Sequence, residues 1–299
     1  MKSYWPLLFL LASIWGASYL FIKVGVEDFP PAAMTDIRLL VAGLLLFGYL
    51  AATSGARRSL AELRAAWLPC LVLGLVNAAL PMSLVAWGET HIDSSIAAIA
   101  QSSVPIFITL LGLRFLPQEP FGLMRVAGLA IGIGGVAIVT GVHPEGGWWA
   151  AAGTLAVVAS SAAYAVGGLY GQLQVRGTRG PVLATGNLLF GAALLLPLTV
   201  ARPPTEMPSF ASVAALGGLI LLPTVIGQLI LFRMLRLHGS RRSSLVTYLM
   251  PGFALVYGST ILDEPVTAAA LGGLVLILGG VALASGQRIL GPRAQGEPA

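Results

Sequence analysis

The sequence predicts an all-α integral membrane protein of ten transmembrane helices, arranged as two inverted five-helix repeats. Three observations carry that prediction. The chain is 57% hydrophobic and only 10% charged, with a mean hydropathy of +0.87, whereas soluble domains carry about 25% charged residues. Its apolar runs are continuous over about 20 residues, the length of one helical crossing. Its second half also repeats its first, with Pro105 matching Pro251 at an offset of 146.

Charge, Gly and Pro punctuate the runs and place spans near 4 to 26, 31 to 52, 67 to 88, 94 to 115, 122 to 141, 150 to 174, 181 to 201, 210 to 236, 244 to 262 and 267 to 286. Helices are preferred to a barrel because barrel strands alternate over about ten residues and these runs do not. The first run has one preceding lysine and no small-residue cleavage site before a polar mature chain, so it reads as the first span rather than a signal peptide. At about 30 residues per span and loop, 299 residues hold about ten spans and leave no room for a large extramembrane domain.

An even span count puts both termini on one side, and the basic residues test that count. Of 17 Lys and Arg, 14 fall with the termini, Lys23 and Arg202 fall opposite, and Arg38 lies inside a span. The positive-inside rule then assigns the termini, and the loops near 53 to 66, 116 to 121, 175 to 180 and 237 to 243, to the cytoplasm of a bacterial-type inner membrane.

The repeat extends beyond one proline. VPIFITLLG (104 to 112) aligns with MPGFALVYG (250 to 258), and, after a one-residue gap, Glu119-Pro120 and Gly134-Gly135-Val136-Ala137 align with Glu264-Pro265 and Gly279-Gly280-Val281-Ala282. Five spans per copy is odd, so the second copy is inverted. The expected organisation is a first repeat over 1 to 145, a second over 146 to 288 and a cytoplasmic tail over 289 to 299. Inverted repeats can exchange conformations and expose one midplane site to either face in turn, which points to a carrier.

Other function classes find little support. One cysteine, Cys70, cannot form an internal disulfide, and three scattered histidines do not make a structural zinc cluster. No phosphate-binding loop, His-Glu-x-x-His or Gly-x-Ser-x-Gly is present, so neither ATP hydrolysis nor an enzyme, cofactor or metal is expected. The +5 charge is explained by topology rather than nucleic acid. The expected partners are a small-molecule substrate and the lipid bilayer, with monomer or homodimer left open. Glu89-Thr-His91-Ile-Asp93 has three potential ligands that could suggest a metal or proton site in the outer loop, but reads better as a short solvated loop, and Glu119-Pro120 and Glu264-Pro265 read as turn formers. Gly128, Gly132, Gly272, Gly273, Gly279 and Gly280 read as close-packing faces within the chain or between protomers.

The site is sought where helices are interrupted, because unwound backbone is tolerated only beside protein or a wet cavity. Pro81, Pro105, Pro223 and Pro251 lie inside spans 3, 4, 8 and 9 as candidate helix breaks and gates. Substrate contacts are expected from polar and aromatic groups near them: Trp15, Tyr19, Asn77, Trp87, Gln101, Tyr164, Gln228 and Tyr248. Asn77, Pro81, Leu84 and Gly88 follow helical spacing on one face. Asp36 and Arg38 are the charges inside a span: Arg38 could hold a carboxylate bidentately or serve packing, and Asp36 could couple or bind a cation.

The Trp15-Gly16 pair, the paired Pro-x-Phe helices, the two Glu-Pro turns and the Gly-Gly-Val-Ala tails resemble the EamA-type transporters of the drug/metabolite transporter superfamily. Within that group the chain is similar to the YddG-type amino-acid exporters. The resemblance implies alternating-access export of small organic solutes, with amino acids and related aromatic metabolites leading, through a cavity between spans 1, 3, 4, 6, 8 and 9. A proton-coupled multidrug or cationic-solute exporter is the second transport reading, favoured if Asp36 faces the cavity. An intramembrane enzyme or structural membrane protein is the alternative from another class.

Overall fold

The computed structural model describes residues 4–115, 122–141, 147–175, 177–204 and 206–284, so Glu119-Pro120 and the expected tail lie outside the described residues. Among the described residues all regular structure is helical: α1 (Tyr4–Gly25), α2 (Pro31–Ser54), α3 (Ala56–Ala65), α4 (Trp67–Gly74), α5 (Leu80–Glu89), α6 (Ser94–Gln101), α7 (Val104–Phe115), α8 (Leu123–Thr140), α9 (Gly147–Gln174), α10 (Gly180–Ala201), α11 (Phe210–Leu219), α12 (Gly227–Ser243), α13 (Val246–Ile261) and α14 (Ala268–Ala284). π-helical segments at Leu75–Ala79 and Ile220–Ile226 join α4 to α5 and α11 to α12. Eight helical stretches are long and apolar enough to cross a membrane, and α13 and α14 are apolar but shorter, at 16 and 17 residues.

The proline-bearing spans are broken by the physics the sequence implies. A proline has no N–H, so the carbonyl four residues earlier loses its partner. Pro81 opens α5 directly after the first π segment, where the Leu80 N–H reaches back five residues to Leu75 O. Pro223 lies inside the second π segment, where bonding shifts to i→i−5, and the Thr224 hydroxyl also donates to the Leu219 carbonyl at 2.8 Å. Pro105 opens α7 after the break at Ser102 and Ser103, and the Gln101 carbonyl it frees accepts from Ser161 Oγ of α9 at 3.3 Å. Pro251, expected as a fourth break, instead sits within a continuous helix, α13, as Pro197 does in α10.

Close packing is set by glycines at the helix crossings. α8 lies against α14, where a Cβ at Gly135 would come within 2.8 Å of Ile277 N and 2.9 Å of Gly273 O. The glycine face of span 5 is therefore used within the chain. Gly128, Gly132, Gly273 and Gly280 are at crowded positions, whereas Gly272 and Gly279 have open space around them and leave that face. Similar approaches pair Gly16 of α1 with Phe253 of α13, Gly74 of α4 with Gly191 of α10, and Gly88 of α5 with Gly153 of α9.

The segment expected as a loop over 53 to 66 contains a helix. Gly55, at φ 85°, turns the chain out of α2, and α3 follows with Leu63 buried and Arg57, Arg58 and Arg64 on its polar side. Glu62 ties α3 to the connector before α10, accepting from Arg58 Nε at 2.9 Å and from Arg179 Nε at 3.0 Å. Those hydrogen bonds, Arg179 first, hold the exposed Glu62 carboxyl below the usual carboxylate range. Similarly, α12 runs through the expected loop at 237 to 243 to Ser243, with a break at Gly239, φ 77°.

Candidate functional site

A cavity of about 70 Å³ lies among α1, α2, α5, α6 and α9, lined by Ser18, Tyr19, Ile22, Arg38, Met82, Val85, Gln101 and Tyr164. Counted along their helices, Tyr19 lies six residues before the end of α1, while Arg38 and Gln101 lie seven after the starts of α2 and α6. At about 1.5 Å per residue this sets all three at a similar depth, about 10 Å below the face where the α1–α2 and α5–α6 turns lie. Four of the sequence candidates thus converge: Tyr19, Arg38, Gln101 and Tyr164.

Arg38 dominates the electrostatics. It is 9% exposed, and its Nε donates to Thr224 Oγ1 at 2.9 Å. That hydroxyl in turn donates to Leu219 O, so the break at Pro223 supplies the group that orients the guanidinium. Trp15 holds the same break from α1, its Nε1 donating to Pro223 O at 3.1 Å, and Gly227 leaves room for the indole. No ion pair of Arg38 is found among the described residues. Gln101 is anchored through Oε1, which accepts from Ser160 Oγ at 2.7 Å, leaving its buried Nε2 without a protein partner. The cavity is therefore lined by the residues that carry a guanidinium, an amide and two phenols.

The remaining candidates lie elsewhere. Asn77 is in the first π segment, its side chain against Gly167 of α9, and is not among the cavity-lining residues. Asn77 and Gly88, the two ends of the face drawn through Asn77, Pro81, Leu84 and Gly88, both meet α9, at Gly167 and Gly153. Trp87 lies against the His91 ring at 4.6 Å, and His91 stacks on Trp149 at 5.4 Å. Gln228 and Tyr248 are half-buried in α12 and α13. Asp36 is 3% exposed beside Thr199, where α2 packs on α10, and does not line the cavity.

Sequence reasoning missed the layer between the cavity and the nearer face. Glu89, read as part of a solvated loop, is 0% exposed and neither carboxyl oxygen has a hydrogen-bond partner. Lys23 Nζ donates to the carbonyls of Glu89 at 2.9 Å and Ile92 at 2.7 Å, sealing the end of α1 to the α5–α6 turn. Glu264 is more than a turn former. Asp263 takes φ 54°, and the following Glu264, 8% exposed, accepts from Ser94 N at 2.7 Å and Ser95 N at 3.0 Å. It caps α6, where the helix dipole favours a negative charge. An acidic residue beside a break in an apolar run was the available signal, but its partners lie up to 170 residues away.

A bundle of long apolar helices, interrupted by two π segments beside a buried polar cavity, has the character of a multispanning membrane protein. The EamA-like transporter family model matches residues 3–141 and again 151–286, and the chain belongs to that family. It is 31% identical to a probable terminal-alkyne amino-acid exporter of Streptantibioticus cattleyicolor, over 98% of this chain and 96% of the relative. It is 29% identical to YedA of Escherichia coli strain K12, described as an uncharacterized inner membrane transporter, over 86% of this chain and 82% of the relative. A crystal structure of a protein at 20% identity superposes with a TM-score of 0.65, covering 95% of this chain and 97% of that one, which bears on the fold alone.

Proposed function

We propose that the chain is a ten-span, inverted-repeat carrier of the bacterial inner membrane, with both termini cytoplasmic, that exports amino acids and related aromatic metabolites by alternating access. The carrying observation is Arg38: a guanidinium, 9% exposed, lines a polar cavity and has only a neutral hydroxyl as its named partner. A buried cation without a counter-ion is costly, and a solute carboxylate would complete it with paired hydrogen bonds. Gln101 Nε2 offers a further donor, and Tyr19 and Tyr164 offer rings for an aromatic or aliphatic side chain.

The helix pairings support the inverted repeat. α2 with α10 and α8 with α14 each join repeat counterparts, while α1 on α13 has its counterpart in α9 on α6 and α7. The two π segments, Leu75–Ala79 and Ile220–Ile226, fall at matching positions of the two halves. Pockets for small molecules span about 300–1,000 Å³, so a cavity of about 70 Å³ holds water and not an amino acid. The arrangement is therefore a contracted one, and loading requires the π segments to move. The amino-acid exporter among the relatives favours this solute class, and the position of Asp36, outside the cavity lining, weighs against a cationic solute.

The test is thermal stabilisation of the purified protein by amino acids. Wild type is stabilised by a free amino acid and not by its carboxamide, and Arg38→Gln abolishes the difference. Equal stabilisation by both ligands, or an undiminished effect in Arg38→Gln, contradicts carboxylate recognition.

A further inference from the structure

The closing layer contains three ionisable side chains, and two of them are satisfied. Lys23 is held by two backbone carbonyls, at 2.9 and 2.7 Å, and Glu264 by two N–H groups of the first turn of α6, at 2.7 and 3.0 Å. Glu89 is different. It is fully buried, neither oxygen accepts a hydrogen bond, and no salt bridge to it is found among the described residues. The charged and titratable groups facing it are Lys23 and Tyr19 of α1, Arg38 of α2 and Glu264 from the connector before α14. His91 and Asp93 follow in its own turn.

An ionised carboxylate in that position would have neither water nor a donor, a cost of several kcal/mol that protonation removes. A sodium ion is a poor fit, because the carbonyls that would coordinate it already hold the Lys23 ammonium. Glu89 also lies at the end of α5, the helix whose residues Met82 and Val85 line the cavity. Any opening of the cavity toward this face must break the Lys23 seal, and with it admit water to Glu89.

We propose that Glu89 is a proton-carrying site: it holds one proton while the closing layer is shut and releases it to water when the layer opens, so that solute movement is linked to proton movement. The proposal rests on the transporter assignment but not on the identity of the solute. The proton goes to water on the open face and returns from water before closure, so no other reactant is needed.

The test pairs Glu89→Gln, which copies the protonated carboxyl in shape and neutrality, with wild type in proteoliposomes. In wild type a pH gradient of one orientation drives accumulation of a labelled amino acid. In Glu89→Gln that accumulation falls to the level of protein-free vesicles, while exchange of labelled for unlabelled solute continues. Gradient-driven accumulation at wild-type level in Glu89→Gln overturns the proposal, as does accumulation that follows a sodium gradient instead. A second readout needs no solute: infrared spectroscopy of the wild-type protein should contain the carbonyl band of a buried protonated carboxyl, missing from Glu89→Gln. If that band is present while no amino acid exchanges, the amino-acid reading fails and Glu89 stands. If the two spectra coincide in that region, the proton site is refuted.

Discussion

Thr224→Val isolates the contact on which the site depends, because it removes a hydroxyl and keeps the shape. Thr224 is 3% exposed, and its oxygen makes two contacts: it accepts from Arg38 Nε at 2.9 Å and donates to Leu219 O at 2.8 Å. A hydrogen bond to a charged group is worth about 1.5–3 kcal/mol, and a second, neutral one to a carbonyl that keeps its backbone partner about 0.5–1.5 kcal/mol. Interhelical hydrogen bonds in membranes average nearer 0.6 kcal/mol, so the lower end applies to each. The Arg38 share, about 1.5 kcal/mol, would be lost from the orientation of the guanidinium toward a solute carboxylate, which corresponds to about tenfold weaker binding. The Leu219 share falls on the α11–α12 break and lowers thermal stability instead. Equilibrium binding of a labelled amino acid to wild type, Thr224→Val and Thr224→Ser measures both. Serine, which keeps the hydroxyl, should bind within about twofold of wild type. Wild-type affinity in Thr224→Val, or equal losses in Val and Ser, would refute the claim that this hydroxyl positions Arg38.

Three further outcomes follow from other contacts. Gly135→Ala should destabilise by about 1–3 kcal/mol through collision with Ile277 N and Gly273 O, while Gly134→Ala, with open space around it, should stay within about 0.5 kcal/mol of wild type in thermal unfolding. Glu62→Gln should lose the tie between α3 and Arg179, and because the folded carboxyl lies below its ordinary range, the stabilisation is present above the unfolded value and disappears as pH falls through the folded one. Unfolding curves of wild type and Glu62→Gln should therefore converge in acid, and a gap that widens in acid would contradict the contact. Glu264→Ala, which removes both N–H partners of α6, should raise labelling of a cysteine placed at Ser95 by a membrane-impermeant thiol reagent, and unchanged labelling would count against a sealing role.

The parts of this molecule legible in its sequence were those set by local chemistry. Pro81, Pro105 and Pro223 each remove a donor and each lies beside a break, although Pro251 and Pro197 remove one too and their helices run on. The convergence of Tyr19, Arg38, Gln101 and Tyr164 could be anticipated as chemistry, since polar groups within apolar helices must face something polar. The similar depth of Tyr19, Arg38 and Gln101 on three helices could not. Asn77 and Gln228 show the opposite case: they had the right composition, but Asn77 lies against Gly167 of α9 and neither lines the cavity, a placement that composition and helical spacing alone cannot foresee. Glu89 was obscured by its neighbours, since Glu-Thr-His-Ile-Asp has the composition of a solvated turn. The groups around it, Lys23, Arg38 and Glu264, are remote in sequence. α3 was hidden for a related reason: charge density reads as loop when the apolar side is only Leu60 and Leu63.

The central claim is that this transporter carries amino acids by their carboxylate, and counterflow tests it most directly. Vesicles containing the purified protein are loaded with an unlabelled amino acid and diluted into the same amino acid carrying a label, with no imposed ion gradient. The account predicts transient accumulation of label, suppressed by external free amino acids and not by their carboxamides, and absent in Arg38→Gln. No accumulation with any amino acid from folded protein, or suppression by acid and carboxamide alike, would contradict it.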